Sequence, residues 1–109
     1  MARKPKSVSV PQKFFETKEE FQTFVENERE WMYTRIVEAI EHAFKSGQIE
    51  AHIFEARIEE TMSVIAMNSE LEEWETSLSL AMKWYEEQEQ YEKCAKILKL
   101  IKEIRTVLG

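Results

Sequence analysis

Aspartate is absent from this 109-residue chain, in which all 21 acidic residues are glutamate. Aspartate favours caps and turns whereas glutamate suits helices, and two glycines with two prolines offer little further material for tight turns. Long helices joined by few loops are therefore expected. The same scarcity of glycine makes the close backbone approach of a nucleotide site hard to build. The sequence also has no glycine-rich phosphate loop, no His-Glu-x-x-His and no Gly-x-Ser-x-Gly. An enzyme is not expected. One cysteine, Cys94, excludes an internal disulfide, and with only His42 and His52 beside it there is no ligand set of the usual zinc kind. No cofactor and no metal are expected. No apolar run approaches the roughly 20 residues that span a bilayer, and no apolar h-region follows the opening Met1-Ala2-Arg3-Lys4-Pro5-Lys6. The expected setting is the cytoplasm, without membrane contact.

What is present is a balance of 43% hydrophobic and 33% charged residues, which belongs to globular chains and suffices for one modest core. Charge is distributed unevenly. Residues 1–13 carry +4, residues 14–92 carry −14 and residues 93–109 carry +4, giving the net −6. An acidic body with basic ends is poorly suited to wrapping nucleic acid, although either end can make a local contact.

Residues 1–13 combine Arg3, Lys4, Lys6 and Lys13 with Pro5, Ser7, Ser9 and Pro11 and have no repeating apolar face. They read as a basic flexible arm, in which Val8 and Val10 can add a short edge strand where a partner offers one. Residues 14–109 form the single compact domain. Thr17-Lys18-Glu19-Glu20 is a capping box that opens a helix, and Phe21, Phe24, Val25, Trp31, Met32, Ile36, Ile40, Ala43 and Phe44 follow as one apolar stripe. Ser46-Gly47 ends it, with glycine free to take the left-handed conformation.

Residues 49–67 admit two readings. Ala51, Phe54, Ile58, Met62 and Ile65 make a helical stripe, while His52, Phe54, Ala56 and Ile58, then Met62, Val64 and Ala66, alternate as strands do. The concentration of β-branched residues favours a β-hairpin, although Glu59-Glu60-Thr61 lacks a turn glycine or asparagine. Ser69-Glu70-Leu71-Glu72 is a second capping box. It opens a helix with Leu71, Trp74, Leu78, Ala81 and Tyr85 inward, and a final helix carries Tyr91, Cys94, Ile97, Leu98, Ile101, Ile104 and Leu108. The short connection makes the pair antiparallel. The expected fold class is α+β: a long N-terminal helix, a β-hairpin and a C-terminal helical hairpin. The alternative is an all-α bundle of four helices.

The run from Trp84 to Ile97, with Tyr91-Glu92-Lys93-Cys94-Ala95 at its centre, resembles the C-terminal helix pair of small tailed-bacteriophage proteins of unassigned function. That resemblance implies a phage or bacterial origin, hence a host cytoplasm. Two helical hairpins are similar more loosely. In tetratricopeptide repeats Leu78, Tyr85, Tyr91 and Cys94 fall near the packing positions. The UVR motif of bacterial excision-repair and kinase-activator proteins has a comparable Tyr-Glu-x-Ala-Ala run, followed by Leu-Arg-Asp where this chain has Ile97-Leu98-Lys99. Both imply a docking hairpin.

Reactive groups are few. Adjacent glutamates such as Glu59 and Glu60, Glu72 and Glu73, or Glu86 and Glu87 diverge by about 100 degrees on a helix and do not converge on one substrate atom. Cys94 sits on an apolar stripe and is expected to be inert core. His42 and His52 lack a carboxylate partner placed by sequence. No catalytic residue is assigned. The remaining candidates are contact surfaces: Leu80 and Trp84, which with Ser77 lie on a second face of their helix, and Arg3, Lys4 and Lys6 in the arm. Lys93, Lys96, Lys99, Lys102 and Arg105 spread around the last helix and offset its dipole. The expected function is a small non-enzymatic adaptor or modulator that binds a host or viral protein. Homodimerisation through Leu80 and Trp84 is a further expectation. The alternative is a nucleic-acid-associated accessory protein using the arm and the last helix.

Overall fold

A computed structural model describes residues 10–108. Arg3, Lys4, Lys6 and Val8 lie outside the described residues, and so does most of the expected arm. The chain runs β1 (Gln12–Phe15), α1 (Lys18–Asn27), α2 (Arg29–Lys45), β2 (Glu50–Ile58), β3 (Ser63–Glu70), a 3-10 turn at Leu71–Glu73, α3 (Trp74–Glu87) and α4 (Tyr91–Leu108). The fold is α+β, with the expected hairpin over residues 50–70 rather than a fourth bundle helix. β2 is the central strand, parallel to β1 on one side and antiparallel to β3 on the other.

The sequence expectation placed an arm through residue 13, whereas β1 already begins at Gln12 and pairs with the chain's own β2. Its four residues are too few for periodicity to register. Lys13 is held there over the rings of Phe24, 5.4 Å to the centroid, and Trp31, 4.8 Å. At the start of α1 the Thr17 hydroxyl accepts from the Glu20 N–H, and the Glu20 carboxylate accepts from the N–H of Glu16.

The single long first helix divides at Glu28, whose ψ of 52° leaves the helical region. The apolar stripe carries the reason. Val25 to Trp31 is a step of six residues filled by Glu26-Asn27-Glu28-Arg29-Glu30, so no apolar residue holds the intervening turn to the core. The break lets α1 fold its aromatics onto β1, where Phe15 meets Phe21 at 5.5 Å and Phe24 at 5.4 Å, and Phe24 meets Trp31 edge-on at 5.4 Å. Gly47 takes φ +74° after α2, the conformation anticipated for it.

The second capping box forms one residue later than expected, between Glu70 and Glu73. Ser69 is retained in β3, buried, with its carbonyl accepting from the Trp74 indole at 3.0 Å. That bond fixes a fully buried tryptophan, which with Phe54, Ile40, Leu78 and Ile97 forms the centre of the core. On α4 the buried stripe is Ile97, Leu100, Ile101 and Ile104, whereas Tyr91, Leu98 and Leu108 are exposed. Steps of three, one and three keep one narrow face. Arg105 ties α4 to α3 through an ion pair with Glu75, which holds the Glu75 carboxyl below its ordinary value.

β2 carries a bulge at Ile53, between the pairs His52–Asn68 and Phe54–Met67. The extra residue lets Ile53 and Phe54 both turn inward, and both are buried. A bulge withdraws backbone groups from the ladder, and here Arg35 of α2 takes them up. Its Nε and Nη2 donate to the Ile53 carbonyl at 3.0 and 2.9 Å, and Nη2 also reaches the His52 carbonyl at 3.3 Å. Removing that fork leaves a part-buried carbonyl unpaired, which costs about 1–3 kcal/mol. Arg35→Met is therefore expected to lower the unfolding free energy by about 2 kcal/mol in urea denaturation, within the same range. A loss below about 0.5 kcal/mol, the size of an ordinary surface change, would contradict the clamp.

Candidate protein-docking face

The helices cover one face of the sheet. Alternation along the strands places Lys13 and Phe15, then Phe54, Ala56 and Ile58, toward them. The opposite residues face away. Phe14 pairs with Arg57, which pairs with Val64, so the three lie in one row across the bare face, and Gln12, Glu55 and Ala66 form the next. Phe14 is 74% exposed and Val64 52%. Gln12 donates to Glu55 at 3.2 Å. The Phe14 row ends at the hairpin tip, where Met62 stands 91% exposed with φ 51°. Left-handed backbone is unusual for a residue with a long side chain and costs roughly 1–2 kcal/mol. These residues enclose a shallow cleft with Glu16, Glu20 and Glu59 on its rim. The result is an apolar row with one cation at its centre and carboxylates around it.

The far edge of β3 adjoins this face. Among the described residues nothing pairs with it. The segment Thr61–Ser69 contains no charged side chain.

The residues singled out in the sequence fall elsewhere. Leu80 is 54% exposed on α3. Trp84 is half-buried, stacked on Tyr33 at 5.6 Å and edge-on to Tyr85 at 5.1 Å, so much of its ring already has an intramolecular neighbour. The structure does not bring Leu80 and Trp84 to the sheet face. Phe14 and Met62 were not anticipated. Which of Phe14 and Phe15 points outward depends on pairing with β2, and the alternation of Met62 with Val64 and Ala66 in the sequence makes Met62 look like one more strand residue.

The reactive candidates are dispersed. Cys94 is half-buried rather than fully buried, with its thiol donating to the Met82 carbonyl at 3.4 Å. Burial, and secondarily the charge of Glu86, pushes the thiol above its ordinary pKa. His52 is exposed, its Nδ1 3.2 Å from the side-chain Oδ1 of Asn68 and its Nε2 3.9 Å from a Glu50 carboxylate oxygen. His42 is exposed on α2, and so are the adjacent glutamate pairs. Among the described residues no group of three or more His, Cys, Asp or Glu converges as a metal would require. No helix of the described residues is long and apolar enough to cross a membrane. Within the cationic series on α4, Lys93 pairs with Glu30 at 3.2 Å and Arg105 with Glu75. Lys96, Lys99 and Lys102 remain exposed.

Comparison with known proteins finds no matching family model, no matching curated protein and no matching solved structure.

Two outcomes follow from this geometry. A thiol with a raised pKa holds less thiolate at pH 8 than an ordinary one, so Cys94 is expected to alkylate with iodoacetamide more slowly than an exposed peptide cysteine and to reach that rate only on unfolding. Equal rates in the folded chain would contradict the burial. Met62→Asn replaces a strained, exposed side chain with one that tolerates the left-handed region, and is expected to stabilise the chain by up to about 1 kcal/mol in thermal unfolding. A lower melting temperature would show that Met62 contributes to the fold.

Proposed function

We propose that this chain is a small non-enzymatic protein-binding module, an adaptor or modulator, that receives its partner on the bare sheet face. The observation that carries the proposal is the row Phe14–Arg57–Val64 with Met62 beside it: large apolar groups held in water on a rigid sheet, one of them at a backbone cost. Contiguous exposed apolar surface on a rigid element is a usual basis for protein association. The rim glutamates and the −14 charge of residues 14–92 favour a partner segment with an apolar anchor and basic flanks. Leu80 on α3 offers a second, smaller contact point. The phage-like run at residues 84–97 suggests that the partner is a host or viral protein in the cytoplasm.

The nucleic-acid reading draws support from Lys96, Lys99 and Lys102, but Lys93 and Arg105 are already engaged by glutamates of α2 and α3. Salt titration separates the two, because phosphate contacts lose affinity steeply with added salt.

Selection of peptides from a random display library against the chain tests the reading without knowledge of the partner. Selected peptides should carry an aromatic or aliphatic anchor flanked by Lys or Arg, and should lose at least tenfold in affinity, about 1.4 kcal/mol, against the Phe14→Ser, Val64→Ser double variant. Peptides that bind this variant undiminished would overturn the assignment of the face.

A further inference from the structure

We infer that β3 is a self-pairing edge: two copies of this chain join antiparallel along β3, related by a two-fold axis through Ala66, into one continuous sheet. This goes beyond the docking proposal, since it concerns the sheet's edge and assigns that edge to a second copy.

The direction of the free backbone groups follows from the β1 side of the sheet. The N–H of Glu55 donates to the Pro11 carbonyl at 3.0 Å and that of Glu59 to the Phe15 carbonyl at 2.9 Å. Along a regular strand the N–H and C=O of one residue point to the same edge, and successive residues alternate. Glu55, Arg57 and Glu59 therefore face β1, and Phe54, Ala56 and Ile58 face β3. Their partners Met67, Ile65 and Ser63 use their backbone groups on β2. The alternate residues Val64, Ala66 and Asn68 direct theirs outward, away from the sheet.

Natural edge strands are blunted by charge, proline or brevity. β3 has eight residues, of which only Glu70 is charged and none is proline. Its inward-facing Ile65 is 36% exposed and Met67 is partly buried, although the sheet face they share is otherwise covered by helices. The core is thus unfinished at this border.

A second copy completes it. With the axis at Ala66, the Ala66 residues of the two copies bond to one another and Val64 bonds to Asn68 of the other copy, using every outward-pointing residue. Ile65 then lies opposite Met67 on the covered face, closing apolar against apolar. The only charge on the strand, Glu70, falls opposite Met62 and not opposite its counterpart, so no like charges meet across the seam. An unrelated strand would need to be neutral and apolar at the same positions; a second β3 is so by identity. The bare face of each copy extends across the joint, and Phe14 stays clear of it, on the strand at the other border of the sheet.

Light scattering of the full chain across a concentration series tests the inference. The expected result is a mass rising to twice 13.0 kDa. Ala66→Pro removes only an N–H that is unbonded in the single copy, a position where an edge strand tolerates proline, and should give a monomer with unchanged far-UV circular dichroism. Ile65→Lys, which places a charge at the seam, should do the same and serves where the proline variant fails to fold. In a Cys94→Ser background, Ile65→Cys mixed with Met67→Cys should form an intermolecular disulfide on oxidation, because facing antiparallel residues that do not bond to one another have Cα atoms about 4.5 Å apart and the closer side chains, within disulfide range. A wild-type monomer at every concentration, or a dimer that survives Ile65→Lys, would overturn the proposal. So would a dimer lost in Leu80→Ser instead. Failure of the Ile65→Cys and Met67→Cys chains to cross-link would overturn the register. Phe14→Ser, on the strand at the border away from the seam, reads peptide binding and Ile65→Lys reads assembly, so the two proposals fail separately.

Discussion

Three strands and a single layer of helices set the terms for the whole molecule. A sheet with one hydrophobic face needs only one cover, and the apolar residues available here are spent on it. Phe54, Ala56 and Ile58 of the central strand are buried beneath α1 and α2, while Arg57 and Glu55 between them face away. No element of the described residues returns to the second face. The bare face and the unpaired β3 edge are therefore not accidents of particular loops. They follow from a core that closes on one side of a small sheet and leaves the other side and one edge open.

The bulge at Ile53 holds that arrangement in register. Without it, residues from 54 onward and residues up to 52 could not both present the correct faces, since a one-residue slip inverts every side chain beyond it. Arg35 makes the irregularity tolerable by supplying donors to the Ile53 and His52 carbonyls from α2. A single side chain thus couples the position of the main helix to the register of the hairpin. At the other end of the sheet Phe15, Phe24 and Trp31 do comparable work by packing, with Lys13 laid across two of the rings.

The helices were legible in the sequence because their stripes are long: Leu78, Ala81 and Tyr85 on α3 and Ile97, Ile101 and Ile104 on α4 are buried as their spacing requires. The Thr17 cap and the left-handed Gly47 were legible for the same local reason. What periodicity could not supply is pairing. β1 is shorter than any reliable alternation, and the outward orientation of Phe14 exists only relative to Arg57 across the strand. The division at Glu28 was written in the six-residue step from Val25 to Trp31, but a stripe read over a long window passes across such a gap. Leu80 is exposed where its helical position put it, whereas Trp84 found a neighbour in Tyr33, from a helix no local pattern links to it. The neutrality of residues 61–69 was visible in the letters throughout. It acquires meaning only once β3 is known to stand at an edge.

Backbone hydrogen exchange along β3, followed residue by residue at increasing protein concentration, tests the open edge most directly. Ile65 and Met67 bond to β2 in every state and should be protected throughout. Val64, Ala66 and Asn68 should exchange rapidly in dilute solution and slow as the concentration rises. Rapid exchange of those three at every concentration, or protection of all five in dilute solution, would contradict an edge that is free in one copy and closed by another.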